Sequence, residues 1–282
     1  MIPAEFSYVR PTSIEEAAQA AGQPGAKVIA GGQSLLPLMK LRLARPSTLV
    51  DIGRLEGLKG TRYTEDGGAE VGALTTYAQV FAETRLEWAR EAVGNIGDVQ
   101  VRNRGTVGGS IAHADPASDL PAILLALDYS AVLRSARGER VVPLDGFFTG
   151  PFTTTAEPDE ILVALRRGPL PGGVDGAYEK LVQPASGYAI VGVAVVVASG
   201  GGSVSHARVA ITGVGEHPYR AKAVEDALLG SDGSAGAIAS AAAHATDGVT
   251  VNSDIHANAA YRSAMAVVHT RRAIETALGR SA

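Results

Sequence analysis

Apolar positions along the chain fall into short runs separated by glycine, proline and small polar residues, and the period of those runs changes from one region to the next. An alanine-rich segment opens at Ser13-Ile14-Glu15-Glu16, where Ser and Glu have capping-box spacing, and continues as a helix to Ala21 before Gly22. Residues 27–30 read as a short buried strand, 35–43 as an apolar helical run and 48–52 as a second strand, which together predict a small βαβ unit. Between 58 and 74 the pattern becomes strand, Asp66-Gly67-Gly68 turn, strand, as in an antiparallel hairpin. Thr76 and Gln79 repeat the capping-box spacing, and a helix is predicted over 86–93. Residues 129–142 read as two strands around Arg137-Gly138-Glu139, and 160–165 as another.

The Pro- and Gly-rich stretch 168–173 marks the best boundary. Beyond it, 178–181, the strongly apolar 188–198 and 207–212 predict a three-stranded antiparallel sheet with a turn at Gly200-Gly201-Gly202. Helices follow over 220–229, 234–245 and 257–278, the last with an apolar stripe through Tyr261, Met265, Val268, Ile274 and Leu278, and they form a small bundle packed on that sheet. The expected division is therefore 1–173, with halves of about 1–55 and 56–173, followed by 174–282. A chain of 282 residues is long enough for two domains, since single domains cluster at roughly 100–150 residues.

Composition narrows the chemistry. A net charge of −4 without a basic run makes neither nucleic acid nor an anionic membrane surface a natural partner, so any phosphate must be held locally. Cysteine is absent, which removes disulfides, thiolate nucleophiles and any cysteine-held iron–sulfur cluster from this chain. No apolar run reaches the ~20 residues of a membrane span, and residues 1–6 lack a basic region followed by an apolar one, so a cytoplasmic protein is expected.

Candidate chemistry concentrates in 105–119, Gly-Thr-Val-Gly-Gly-Ser-Ile-Ala-His-Ala-Asp-Pro-Ala-Ser-Asp. Three glycines in five residues let a backbone turn sharply and approach a ligand, and successive N–H groups can converge on an anion. A helix is predicted to begin at Ser118-Asp119, its positive end facing back toward this loop. Ala30-Gly31-Gly32-Gln33-Ser34 has a similar build between apolar runs. Either loop alone is as well explained by a tight connection, whereas two together suit a diphosphate. Gly213-Val214-Gly215 lacks the third glycine of a dinucleotide fingerprint and is read as a turn. No GxxxxGK[ST] stretch supports ATP hydrolysis. His113 and Asp115 have no matching pair elsewhere, and no metal is assigned to them.

The two loops and the residues around them resemble the FAD-binding medium subunits of the molybdenum hydroxylases, in particular the carbon monoxide dehydrogenase medium-chain branch. The resemblance runs from Phe6 through Arg280 and is carried by residues 30–37, by 102–110 with 112–116, and by Glu160-Ile161-Leu162. It implies an α+β (α/β) fold: a two-subdomain FAD-binding domain of the vanillyl-alcohol oxidase type, then three antiparallel strands with a three-helix bundle. It places the diphosphate loops on Ala30, Gly31, Gly32, Gln33 and Ser34, and on Thr106, Val107, Gly108, Gly109 and Ser110. By the same resemblance Ile96 stands at an aromatic cofactor contact, Asp119 at a hydroxyl-binding acid and Leu162 at a backbone contact. Lys180 then lies beside the flavin, where its positive charge favours reduction, and Tyr188 near the ring. Two positions depart from the family pattern: Ser110 replaces an Asn common among relatives, and Ile96 is not aromatic.

The implied activity is electron transfer, with no catalytic residue for the substrate in this chain. A large molybdopterin subunit oxidises the substrate, a small subunit with two [2Fe–2S] clusters relays electrons, and FAD here passes them to quinone, NAD or oxygen, the assembly being a dimer of heterotrimers. Two alternatives stand beside it: a self-sufficient FAD-dependent oxidase, and an assembly subunit that has lost its cofactor.

Overall fold

The computed structural model describes residues 2–279. Its first layer is a three-stranded parallel sheet. Strand β1 (Ser7–Val9), helix α1 (Ile14–Ala21), strand β2 (Ala26–Ile29), helix α2 (Leu35–Lys40) and strand β3 (Thr48–Asp51) follow in order, with β3 between β1 and β2. The predicted βαβ unit is thus present. The short β1 beside it has no signal in the sequence pattern, because three residues are too few to show a period. Ser13 accepts the Glu16 N–H, but the Glu16 carboxylate accepts from Thr12, so only half of the expected capping box forms. Ala17, Ala18 and Ala21 are fully packed against Val50, Ile52 and, across the layer, Val132 and Ile161. The alanine-rich face is small because α1 is wedged between two sheets.

The second sheet is antiparallel. Strands β4 (Thr61–Tyr63) and β5 (Ala69–Gly72) form the predicted hairpin. Five helices then precede the remaining strands: α3 (Tyr77–Glu83), α4 (Glu87–Gly94), α5 (Val99–Arg104), α6 (Val107–His113) and α7 (Asp119–Ala126). Strands β6 (Ser130–Ser135), β7 (Gly138–Pro143), the small pair β8 (Phe148–Gly150) and β9 (Thr153–Thr154), and β10 (Ile161–Arg167) follow, in the order β4-β5-β10-β6-β7. The Thr76 and Gln79 capping box is complete. Helix α7 is buried at all eight residues, which explains why its sequence is apolar without a stripe.

The last sheet holds four strands rather than three: β11 (Val174–Val182), β12 (Ala189–Gly200), β13 (Ser203–Thr212) and the two-residue β14 (Tyr219–Arg220). Arg220 therefore ends a strand instead of opening a helix, and α8 (Lys222–Leu228), α9 (Ala235–Ala242) and α10 (Ala259–Ala277) make the predicted three helices. Along β12, Val191, Val193, Val195 and Val197 pack toward α8–α10, while Ala194 and Val196 pack toward α7. A strand covered on both faces reads as a continuous apolar run. On β11, Gly176 makes room for Trp88 of α4, since a Cβ there would lie 2.5 Å from the indole Cε2.

The α10 stripe is met only in part. Of the expected stripe, Ile274 is buried and Met265 and Leu278 pack against the core, whereas Tyr261 is exposed and the buried face also carries Arg262, Ala266, His269, Thr270 and Ala273. The Arg262 guanidinium donates to the carbonyls of Ile190 and Gly213 and to Asp254. Satisfying those buried carbonyls sets the rotation of the helix, and simple hydropathy ranks Arg262 as the wrong face.

Candidate functional site

The loop 30–34 joins β2 to α2 and lies against the end of α5. A Cβ on Gly31 would stand 1.9 Å from the Arg104 carbonyl oxygen and 3.1 Å from Gly105 Cα, so the two glycine loops touch backbone to backbone. Gly32 has φ +74°, a left-handed conformation that L side chains rarely adopt. The N–H groups of Gly31, Gly32, Gln33 and Ser34 have no acceptor among the described residues, and the Ser34 hydroxyl caps nothing. The Gln33 side-chain amide donates back to the Gly31 carbonyl. Four consecutive unengaged donors form the concave anion seat expected of such a loop.

The second seat is built differently from the sequence expectation. Residues 107–113 are a helix, capped by Thr106, and not an open loop. Its first N–H groups are already used: Val107 donates to Thr75 O, Gly108 to Ala73 O, Gly109 to Thr106 Oγ1 and Ser110 to Thr106 O. The glycines act by shape. A Cβ on Gly108 would lie 2.5 Å from Ala73 Cβ, whereas one on Gly109 would meet only Thr106, its Oγ1 at 2.7 Å, and otherwise open space. Gly108 lets α6 rest on Ala73, and Gly109 leaves a smooth outer surface at the positive end of the helix. Loop 30–34 thus supplies free donors, while Gly109 supplies clearance beside them. A diphosphate group fits this pair. Leu162 is held close by: Val163, bulged from the β10–β6 ladder, accepts the Ala73 N–H, and Leu162 is buried beside it.

Helix α7 begins at Asp119, as the sequence predicts. Ser118 occupies the cap position, with its hydroxyl 2.9 Å from Ser110 Oγ instead of capping α7. Asp119 is buried, and both its oxygens are taken: the Tyr178 phenol donates to Oδ1 and the Lys180 ammonium to Oδ2 at 2.9 Å. Burial pushes its carboxyl up, opposed by the charge and hydrogen bond of Lys180 and by the Tyr178 bond. Burial, the charge of Asp119 and the hydrogen bond to it raise the Tyr178 phenol well above its ordinary value. Lys180, expected from the sequence to lie beside the flavin, is thus held in an ion pair with Asp119. Tyr178 was not singled out there, although its position two residues before Lys180 puts both side chains on one face of a strand. Tyr77, another residue missed, is buried and its phenol is pushed up to about 12 by desolvation, against a hydrogen bond with Ser110. Tyr188 is exposed, and its phenol is raised by partial burial and by the charges of Asp115 and Asp119.

Ile96 lies apart, in the α4–α5 turn, where Arg102 bonds its carbonyl at 3.2 Å and its side chain packs on the core. The His113 ring meets that of Phe152 at a tilt, 5.1 Å between centroids, and Asp115 Oδ1 accepts the Ala117 N–H. Among the described residues no three His, Asp or Glu side chains come together as metal ligands. Gly213, with φ +80°, is a turn whose N–H donates to the Pro116 carbonyl at 2.7 Å, tying the last sheet to the start of α7.

A parallel unit and an antiparallel sheet that press two glycine loops together, backed by a buried acid–lysine pair, define a protein that holds a diphosphate-bearing cofactor. Residues 4–166 match the FAD binding domain in molybdopterin dehydrogenase, and 176–277 match the CO dehydrogenase flavoprotein C-terminal domain. The carbon monoxide dehydrogenase medium chain of Hydrogenophaga pseudoflava is 40% identical over 289 residues, covering 100% of both chains. The glyceraldehyde dehydrogenase medium chain of Sulfolobus acidocaldarius is 36% identical, covering 98% of this chain and 99% of its own. A solved carbon monoxide dehydrogenase from Hydrogenophaga pseudoflava superposes with a TM-score of 0.95 at 41% identity over all of both chains. The chain belongs to the FAD-binding medium subunits of the molybdenum hydroxylases, oxidoreductase subunits whose cofactor is FAD. Nothing among these relatives supports a self-sufficient oxidase. Among the described residues no helix is long and apolar enough to cross a membrane.

Proposed function

We propose that this chain takes electrons from the [2Fe–2S] clusters of a small subunit and hands them, through FAD, to an external acceptor, while a large molybdopterin subunit oxidises the substrate. The observation that carries this reading is the contact between the two glycine loops, with four free N–H groups on one and the open face of Gly109 on the other. The diphosphate lies there, between Ala30–Ser34 and Thr106–Ser110. FAD supplies the exchange between two-electron and one-electron transfer, and the protein sets its position and potential. Leu162 offers backbone beside the cofactor, Asp119 orients the Lys180 ammonium toward the ring, and Tyr188 covers the ring from solvent. Ile96, packed on the core away from the two loops, is left with no side-chain contact to the cofactor. The absence of cysteine places the iron–sulfur clusters on the partner.

The unit binding FAD spans 1–173 and the unit completing the site spans 174–282, joined at 168–173. The complex is a cytoplasmic dimer of heterotrimers, and quinone, NAD or oxygen serves as acceptor. Its substrate is that of the large subunit. The test is an absorption spectrum of the purified chain followed by identification of the chromophore released by heat or acid. FAD in about equal amount to protein is the expected outcome. A chain that is colourless even with its partners makes the loops simple turns and returns the reading to an assembly subunit.

A further inference from the structure

Strand β11 and the first turn of α7 meet in a buried group of three, Tyr178, Asp119 and Lys180. Their surroundings are arranged for the phenol. Gly192 interrupts the valine-rich β12 at a point where a Cβ would lie 2.3 Å from the Tyr178 hydroxyl oxygen and 2.8 Å from Thr212 Cγ2. Thr212 cannot swing aside freely, since its hydroxyl donates to the carbonyls of Pro116 and Ser118. Glycine inside a strand weakens it, and here it clears the space that lets the phenol reach Asp119.

The consequence falls on Lys180. With Oδ1 held by Tyr178, the carboxylate offers only Oδ2, and one of the three ammonium N–H groups is spent on it. The side chains of Lys180 and Asp119 are 9% and 6% exposed, so solvent does little to screen the pair. We infer that Tyr178 is a positioning residue that, through Asp119, fixes the Lys180 ammonium and so sets the midpoint potential of the bound flavin. This rests on the proposed placement of the flavin ring beside Lys180. Without the phenol, Asp119 is free to rotate and take a second lysine donor, which draws the ammonium toward the carboxylate and away from the ring, so that less positive charge favours electron uptake.

The test uses the full-length chain carrying FAD. Tyr178→Phe is expected to retain wild-type flavin content with a lower midpoint potential, and Lys180→Met is expected to lower it as well. The double variant should fall no further than Lys180→Met, because Tyr178 acts through the lysine. An unchanged potential in flavin-loaded Tyr178→Phe, or shifts that simply add, overturns the inference. A wild-type chain without FAD instead overturns the functional reading. If Tyr178→Phe does not fold, the infrared difference between cofactor-free wild type and Asp119→Asn decides: an ionised carboxylate is expected, and a protonated acid at Asp119 removes the charge pair on which the inference stands.

Discussion

Glycines that look alike in sequence do opposite work at the site. Gly31 and Gly108 are contacts inside the protein, whereas Gly109 faces outward, and substitutions should separate the two kinds. Gly109→Val displaces the Thr106 cap, which costs about 1 kcal/mol. It also places a branched side chain on the open surface, so the chain should fold and lose FAD. Flavin absorbance alongside circular dichroism checks this, and normal flavin content removes Gly109 from the site. Gly108→Val drives a side chain into Ala73 and should lower stability by at least about 1–3 kcal/mol, with flavin lost only as a by-product. Asp119→Ala leaves the Lys180 ammonium buried without its partner. Denaturant unfolding of the cofactor-free chain should then show a loss of about 3–5 kcal/mol. A loss near the about 1 kcal/mol of an ordinary helix cap argues that the pair is not formed.

At the scale of elements, α10 shows how a helix chooses its buried face. Arg262 faces inward because carbonyls of Ile190 and Gly213 need donors, and His269 follows one face further along. Burial holds the His269 imidazole below its ordinary range, opposed by Glu179 and assisted by Arg272. The unfolded chain, with a value of about 6.5, therefore binds the proton more readily than the folded one. The stability that follows is fully present above the unfolded value and is lost as pH falls through the lower folded one. Thermal unfolding between about pH 7 and pH 5 should flatten in His269→Gln compared with wild type, and an unchanged slope assigns the pH dependence to other groups. Helix α6 makes a related point. Its glycines predict a loop by local preference, but bonds to Thr75 and Ala73 and the Thr106 cap hold it helical.

The whole molecule is tied together across the last sheet. One face of β12 and β13 rests on α7 through Ala194, Val196 and Ala210, and the other on α8–α10. Asp128 at the far end of α7 pairs with Arg208 and Arg220, while Thr212 and Gly213 bind the turn before α7. Lys180 and Tyr178 reach Asp119 only because these contacts fix the sheet's position. A fragment of residues 174–282 alone should expose the α7-facing side of that sheet. Expressed by itself it should aggregate or lack fixed tertiary packing, whereas a monomer with sharp, dispersed NMR signals counts against this dependence.

Local chemistry in the sequence was sufficient for the hairpin at 61–72, the complete cap at Thr76, the apolar strand β12 and the open glycine loop at 30–34, since each depends on neighbours a few residues apart. Its long specific matches also carried the family and the cofactor. Tertiary structure decided what each glycine touches, which loop keeps free N–H groups, that Lys180 arrives paired with Asp119, and which face α10 buries. Those outcomes depend on partners such as Arg104, Ala73, Tyr178 and Gly213. They lie far away in the chain or on another strand, where no local period or propensity can reach.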